Sequence, residues 1–207
     1  MIDEIKVATG EVRLSYAHLF KPYSFVPGEE GRYSVTCLLP KTDTVTKVAI
    51  DNAINQAKQL GASSAWKGAV PPVILTPVHD GDGLKSDGNP YGPECKGHWV
   101  FSATSKFPVL VVDSNGTPLA ETDVYSGCYG RVVIKLKPYS APGKKGIGFY
   151  LTVVSKTRDG EPLGGNNYNA DLEALGIQTA TAQTTSPQQA VAAPQTGVNP
   201  ITGLPFN

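Results

Sequence analysis

Apolar and polar positions alternate with a period of two in several stretches of this chain, and with a helical period in only one. Val7, Val12, Leu14 and Tyr16 are β-prone and predict a long strand or a bent strand pair over residues 5–20, interrupted at Thr9-Gly10. Pro22 and Pro27-Gly28 then mark a loop. Tyr33, Val35, Cys37 and Leu39 share one face of a second strand that Pro40 ends. Over residues 43–60 the spacing changes. Val45, Val48, Ala49, Asn52, Ala53, Gln56, Ala57 and Leu60 recur at three- and four-residue steps. They predict a helix with a small, mostly apolar stripe lying on a sheet. Thr42 or Asp43 can cap its start, and Gly61 suits the left-handed position after its end.

Residues 61–97 are irregular and rich in Gly and Pro, with one short apolar piece at 73–75. A loop of this length in a compact domain is usually functional or mobile. Strands return at 99–105 and 109–113, and Asp113-Ser114-Asn115-Gly116 reads as a hairpin turn. The segments 129–138 and 147–156 form a last strand pair, joined by a flexible connection at 140–146. An open sheet edge near Val109 could pair two chains. Residues 169–175 could form a short helix. From Ile177 to Asn207 no charged residue occurs and Thr, Gln, Ala and Pro dominate, which predicts a disordered tail. The expected organisation is a folded domain over 1–176 and a tail over 177–207. The expected class is mainly β with one helix, a small barrel or sandwich that also fits an elaborated OB-type barrel of five strands.

Charge refines this picture. The sum is neutral, with 18 bases and 18 acids, but the distribution is uneven. Arg131, Lys135, Lys137, Lys144, Lys145, Lys156 and Arg158 fall in a stretch, 124–158, that holds no acid. Asp80, Asp82, Asp87, Glu94, Asp113, Glu121 and Asp123 crowd the segment before it. A neutral chain with one basic face can still attract a polyanion locally. Three scattered cysteines, Cys37, Cys95 and Cys128, fit reduced thiols in a cytosol. No apolar run approaches the ~20 residues that span a bilayer, and the polar start lacks a signal-peptide pattern.

Aromatic and basic residues interleave, as single-stranded nucleic acid requires: bases stack on rings while Lys and Arg follow phosphates. On a regular strand Arg131, Lys135 and Lys137 share a face with Tyr129, Val133 and Tyr139, and Val132, Ile134 and Leu136 face the core. This ladder is the main candidate platform. Tyr16, Lys21, Tyr23, Lys106 and Phe107 form a second set, whereas Phe20 and Phe25 read as core. The plain alternative is that Tyr and Lys are simply good residues for the open face of a sheet. Gly143-Lys144-Lys145-Gly146 reads equally as a phosphate clamp or as a solvated turn.

Other chemistries find little support. The oxygen-rich loop His79-Asp80-Gly81-Asp82-Gly83, with Asp87 and Glu94, fails calcium-loop spacing: Lys85 stands where Gly is needed and Tyr91 where Glu is needed. Cys95 and His98 make half of a zinc pattern without a second half. No metal, cofactor or catalytic residue is expected. A metal nuclease would need Asp80, Asp82 and Asp113 together, which their spacing does not impose. A non-enzymatic structural or assembly protein is the other alternative.

Four stretches carry a resemblance: Arg13-Leu14-Ser15-Tyr16 running to Phe20; residues 33–43, Tyr-Ser-Val-Thr-Cys-Leu-Leu-Pro-Lys-Thr-Asp; Val124-Tyr125-Ser126-Gly127-Cys128-Tyr129 and the strand after it; and residues 153–163, Val-Val-Ser-Lys-Thr-Arg-Asp-Gly-Glu-Pro-Leu. In order and spacing the chain resembles, over about residues 5–165, a family of phage-encoded single-stranded DNA-binding proteins. The resemblance implies an OB-type barrel, a non-catalytic role in replication, recombination or repair in the bacterial host's cytoplasm, and single-stranded DNA as partner. It also raises docking of replication or recombination proteins on the tail. Yet this tail has no acids, and Asn207 follows Leu204-Pro205-Phe206.

Overall fold

A computed structural model describes residues 4–24 and 26–163. The expected tail, the short helix at 169–175 and Phe25 lie outside the described residues. Among the described residues, eight strands and one helix follow one another as β1 (Lys6–Ala8), β2 (Val12–Tyr23), β3 (Arg32–Pro40), α1 (Thr44–Ser63), β4 (Val78–Asp80), β5 (His98–Ser105), β6 (Leu110–Val112), β7 (Tyr129–Ala141) and β8 (Lys144–Arg158). Short 3-10 turns precede β5 and β7. The bent pair expected at the start is β1 and β2.

Five strands close on themselves. β2 pairs β3, β3 pairs β5, β5 pairs β8 in parallel, β8 pairs β7, and β7 returns to β2. This ring is the OB-type barrel that the sequence pattern allowed. β1 adds outside β7, and β6 lies parallel to β8. β4 and β8 share one edge of β5: β4 pairs 99–101, and β8 meets it at Thr104. The edge near Val109 is partly covered. Leu119 donates to the Val111 carbonyl at 3.0 Å and Asp113 to the Thr117 carbonyl at 2.9 Å, so the segment after the 113–116 turn lines β6. That turn forms as expected, with Gly116 at φ 87° and Asp113 Oδ1 accepting from the backbone N–H of Asn115 and Thr117.

Alternation works best on β7. Val132, Ile134 and Leu136 are buried and join Leu14, Val35, Cys37, Leu39, Phe101, Phe149, Leu151 and Val154 in the barrel core. Both register shifts of the β7–β8 pair insert the extra residue into β8, at Thr152 and Thr157, so β7 keeps its phase. Leu38 and Val100 point outward and are buried nonetheless, because Cys95, Tyr91 and Leu163 cover them in a smaller cluster. The connection expected at 140–146 is mostly strand: Ser140 pairs Lys145 and Ala141 pairs Lys144, leaving Pro142-Gly143 as the turn. Leu75 bridges Gly146 from the long loop and further secures the hairpin.

The helix exists, but its buried face differs from the expected stripe. Val45 and Val48 are 80% and 56% exposed, while Thr46, Ile50, Ala53, Ile54, Ala57 and Gly61 are buried. The true face is rotated by about one residue. Thr46 turns inward because its Oγ1 accepts from the Gly10 N–H at 2.8 Å, which ties the helix start to the β1–β2 bend. Asp43 caps the helix by accepting from the Thr46 N–H. Gly61 is not the left-handed terminator. The helix runs on to Ser63, and Gly61 is the spot where the Trp66 ring folds back on it. A Cβ on Gly61 would lie 2.6 Å from Trp66 Cζ3. Gly61→Ala is therefore expected to destabilise by about 1–3 kcal/mol through overpacking, against the usual gain of Ala in a helix. Thermal unfolding measures it, and an unchanged or raised Tm would contradict this packing.

Candidate nucleic-acid interface

The outward faces of β2, β3 and β5 form the floor of a groove. On β3 the outward residues are Ser34 and Thr36, and on β5 they are Ser102 and Thr104. The Thr36 and Ser102 hydroxyls hydrogen-bond across the strands at 2.9 Å. The floor is polar but uncharged, and hydroxyls rotate to donate or accept as a partner requires. At one end it widens into a cleft of about 700 Å³ walled by Tyr16, His79, Leu84, Lys85, Asp87, Tyr91 and Glu94. At the other end it runs into a smaller cleft lined by Tyr23, Val26, Glu29, Glu30, Arg32 and Thr104.

Tyr16 stands over this floor. β2 and β3 lose register between Ser15 and His18, and Tyr16 sits in that irregularity at φ 46°, with the side chain 59% exposed. A bulge re-aims a side chain, and left-handed backbone at a residue other than glycine is strained. Farther along β2, His18 and Tyr23 stack at 4.4 Å between centroids with planes 10° apart. Across the groove, Lys85 lies 5.6 Å from the Tyr91 ring centroid, and His79 lies 6.4 Å from it.

The wall carrying His79, Lys85 and Tyr91 belongs to the long loop, which is pinned. Lys41 at the end of β3 bonds both Asp80 and Asp82, while Asp82 Oδ1 also accepts the Gly97 N–H at 2.9 Å. Lys41 and Lys47 lie 4.9 Å and 4.6 Å from the Trp99 ring centroid, a double cation–π contact under the same loop. The Lys41 ammonium holds the carboxyls of Asp80 and Asp82 below their ordinary range, with backbone N–H bonds adding to the effect. Because these pKa values are depressed on folding, the carboxylates stabilise the pinned loop at neutral pH. Their contribution falls away as pH drops through the ordinary value of 3.8 and below. Trp99 fluorescence is expected to change over that acid window, and Lys41→Met is expected to show the low-pH signal already at pH 7. A pH-independent signal would contradict the pinning.

These contacts also occupy the carboxylates of the loop. Asp80 and Asp82 are engaged by Lys41, and Asp113 caps its own turn, so the three are not gathered into a site. Among the described residues no group of three or more His, Cys, Asp or Glu could hold a metal ion. Burial raises the Cys37, Cys95 and Cys128 thiols above their ordinary values, which keeps them protonated.

The ladder on β7 is present but partly spoken for. Tyr129 carries the Arg158 guanidinium 3.4 Å from its centroid and Arg13 5.8 Å away, and Arg158 is held in turn by Glu11. Arg131 donates to the Thr9 carbonyl at 3.0 Å. Lys135 pairs with Glu4 at 2.9 Å; hydrogen bonds from Lys6 and Lys135 bring the Glu4 carboxyl down to about 2. Lys137 lies 5.8 Å from the Tyr150 ring centroid. The Tyr139 carbonyl accepts Trp66 Nε1 at 3.0 Å. In the second set, Tyr16 and Tyr23 line the groove, Lys21 pairs with Glu121 at 2.8 Å, Lys106 approaches Glu30 at 3.4 Å, and Phe107 is 77% exposed. Phe20 packs against the core, as expected. The pattern missed Arg32, Lys85, Tyr91 and the hydroxyl floor. Only the floor left a signal, as alternate Ser and Thr at 34, 36, 102 and 104.

The closed five-stranded barrel defines a class, the OB fold. The family model described as Enterobacter phage Enc34, ssDNA-binding protein, matches residues 5–181, and the chain belongs to that family. The structure of the single-stranded DNA-binding protein from bacteriophage Enc34 in complex with ssDNA is 34% identical. It covers 77% of this chain and 89% of its own, with a TM-score of 0.66. A further structure of the same phage protein is 30% identical over 81% of this chain and 89% of that one, at a TM-score of 0.63. The single-stranded DNA binding protein gp2.5 of bacteriophage T7 shares the fold, at 16% identity and a TM-score of 0.55, over 89% of this chain and 100% of that one. Among curated proteins there is no match. Among the described residues no helix is long and apolar enough to cross a membrane.

Proposed function

We propose that the protein binds single-stranded DNA without sequence preference and without catalysis, and that the strand lies in the groove over β2, β3 and β5. The observation that carries this reading is Tyr16, exposed and held at a strained backbone angle above an uncharged hydroxyl floor. Rings stack on any base, each stack contributing roughly 1–3 kcal/mol, and rotatable hydroxyls accept any base edge, so the chemistry does not select a sequence. Tyr23 adds aromatic surface at the far end beside Arg32, Lys106 reaches Glu30 of that cleft, Phe107 is exposed just past β5, and Tyr91 with Lys85 closes the near end. Membership of the family and the relative bound to ssDNA support the ligand. Strand protection during phage replication, recombination and repair, in the host cytoplasm, is the role that follows. Tail docking of replication or recombination proteins belongs to the same proposal.

A salt titration of oligo-dT binding tests the site. Replacing Arg32 and Lys85 together by Ala is expected to weaken binding and to flatten the salt slope by about 0.7 for each phosphate no longer neutralised. Unchanged affinity and slope in the folded double variant would remove the groove from the reading.

A further inference from the structure

Beyond the groove, the outer face of the β7–β8 hairpin carries an arrangement of its own. Three cross-strand pairs share that face: Tyr139 with Gly146, Lys137 with Gly148, and Lys135 with Tyr150. The glycines are what let the rings lie down. A Cβ on Gly148 would stand 3.1 Å from Tyr150 Cε2, and one on Gly146 would stand 2.7 Å from the Tyr139 hydroxyl oxygen. Each tyrosine therefore lies along the sheet over a strand position that has no side chain. Lys137, exposed, sits 5.8 Å from the Tyr150 centroid, and Tyr150 is itself 37% exposed. Lys144 and Lys145 at the turn are exposed as well. Tyr150 pairs with Thr104 at the one place where β5 and β8 meet, and Thr104 belongs to the groove floor. Neighbouring strands lie about 4.8 Å apart, so the groove and the hairpin face adjoin at Tyr150.

We propose that a strand leaving the groove at Thr104 continues onto this hairpin face, stacking on Tyr150 and then Tyr139 with its phosphates on Lys137 and the turn lysines. The protein then has two modes: a short one confined to the groove, and a longer one that adds the hairpin. This rests on the groove reading above. Tyr150 is the junction residue. Tyr129 and Arg131, farther down β7, stay outside the track because they hold the barrel seam through Arg158 and the Thr9 carbonyl.

The test compares oligo-dT of about 6 and about 16 nucleotides, within the ~4–16 that one OB barrel covers. Four full-length proteins are titrated: wild type, Tyr16→Ala, Tyr150→Ala with Lys137→Ala, and Tyr150→Phe. The double variant is expected to bind the short oligomer like wild type and the long one about ten-fold more weakly. Tyr150→Phe, which keeps the ring, is expected to match wild type on both, and melting curves check that each variant is folded. Equal losses on both lengths, or no loss on either, would overturn the second segment. In those cases a loss by Tyr16→Ala on both lengths leaves the groove reading standing. Failure of the wild type to bind either oligomer would defeat the groove reading itself, and this inference with it.

Discussion

Replacing Tyr16 by glycine is expected to give a protein more stable than the alanine variant and a poorer binder than wild type. Tyr16 holds φ 46°, where a Cβ crowds the following carbonyl at a cost of roughly 1–2 kcal/mol, and glycine relieves that strain. The offset is the extra backbone freedom a glycine loses on folding, roughly 0.5–1 kcal/mol. The residue is 59% exposed, so losing the ring also gives up roughly 1 kcal/mol of burial, a loss that glycine and alanine variants share. The net expectation is a Tm up to a few degrees above that of Tyr16→Ala, since about 1 kcal/mol moves Tm by roughly 2–4 °C in a domain of this size. The same substitution deletes the ring above the hydroxyl floor and should weaken oligo-dT binding roughly five- to hundred-fold, the loss of one stack. Tyr16→Ala separates the two effects, because it removes the ring and keeps the strain. A glycine variant that binds like wild type would show that the ring is unused. A glycine variant that melts lower than the alanine variant would show that the conformation is not strained.

The largest effect on stability is expected at Phe101. It is fully buried on β5, paired with Cys37 on one side and Val78 on the other, and it meets Phe149 edge-on at 5.7 Å and 71°. The residue therefore joins three strands and meets an aromatic of β8, the next strand of the ring. Phe101→Ala removes that burial and leaves a cavity among strands whose closed pairing cannot collapse inward, at a cost of about 3–5 kcal/mol. Against a typical total of about 5–15 kcal/mol, this should lower Tm by roughly 10 °C or more. Phe101→Leu should cost less. A drop of under about 1 kcal/mol for Phe101→Ala in chemical denaturation would mean that the barrel interior is not packed as described.

The barrel is readable from the sequence where strands stay regular. β7 displays its inward Val132, Ile134 and Leu136 because both irregularities fall in β8. The helix is visible as a period, but two faces one residue apart fit that period equally well. A tertiary contact, Thr46 to Gly10, makes the choice, and no local pattern encodes it. Gly61 departs from its expected role for a similar reason: the ring it accommodates, Trp66, folds back from beyond the helix end.

Site legibility follows the same division. The basic ladder on β7 stands out because residues 124–158 contain no acid. The acids that answer it come from far away in sequence: Glu4 reaches Lys135 and Glu11 reaches Arg158. Tyr16 is recognisable as an aromatic near bases, but its bulge and its place over the groove are products of sheet register. The groove floor is four ordinary hydroxyl residues, and its far wall is delivered by a loop that Lys41 pins through Asp80 and Asp82. Those two aspartates, which miss calcium-loop spacing along the chain, bind Lys41 and so position the loop.

Whether the groove holds a single strand under Tyr16 is decided by binding of labelled oligo-dT across a salt series, beside a duplex of equal length and against the Tyr16→Gly variant. Tight, salt-sensitive binding to the single strand is expected, with weak binding to the duplex and a clear loss in the variant. Equal binding of single strand and duplex, or a single-strand affinity untouched by the loss of Tyr16, would contradict that role.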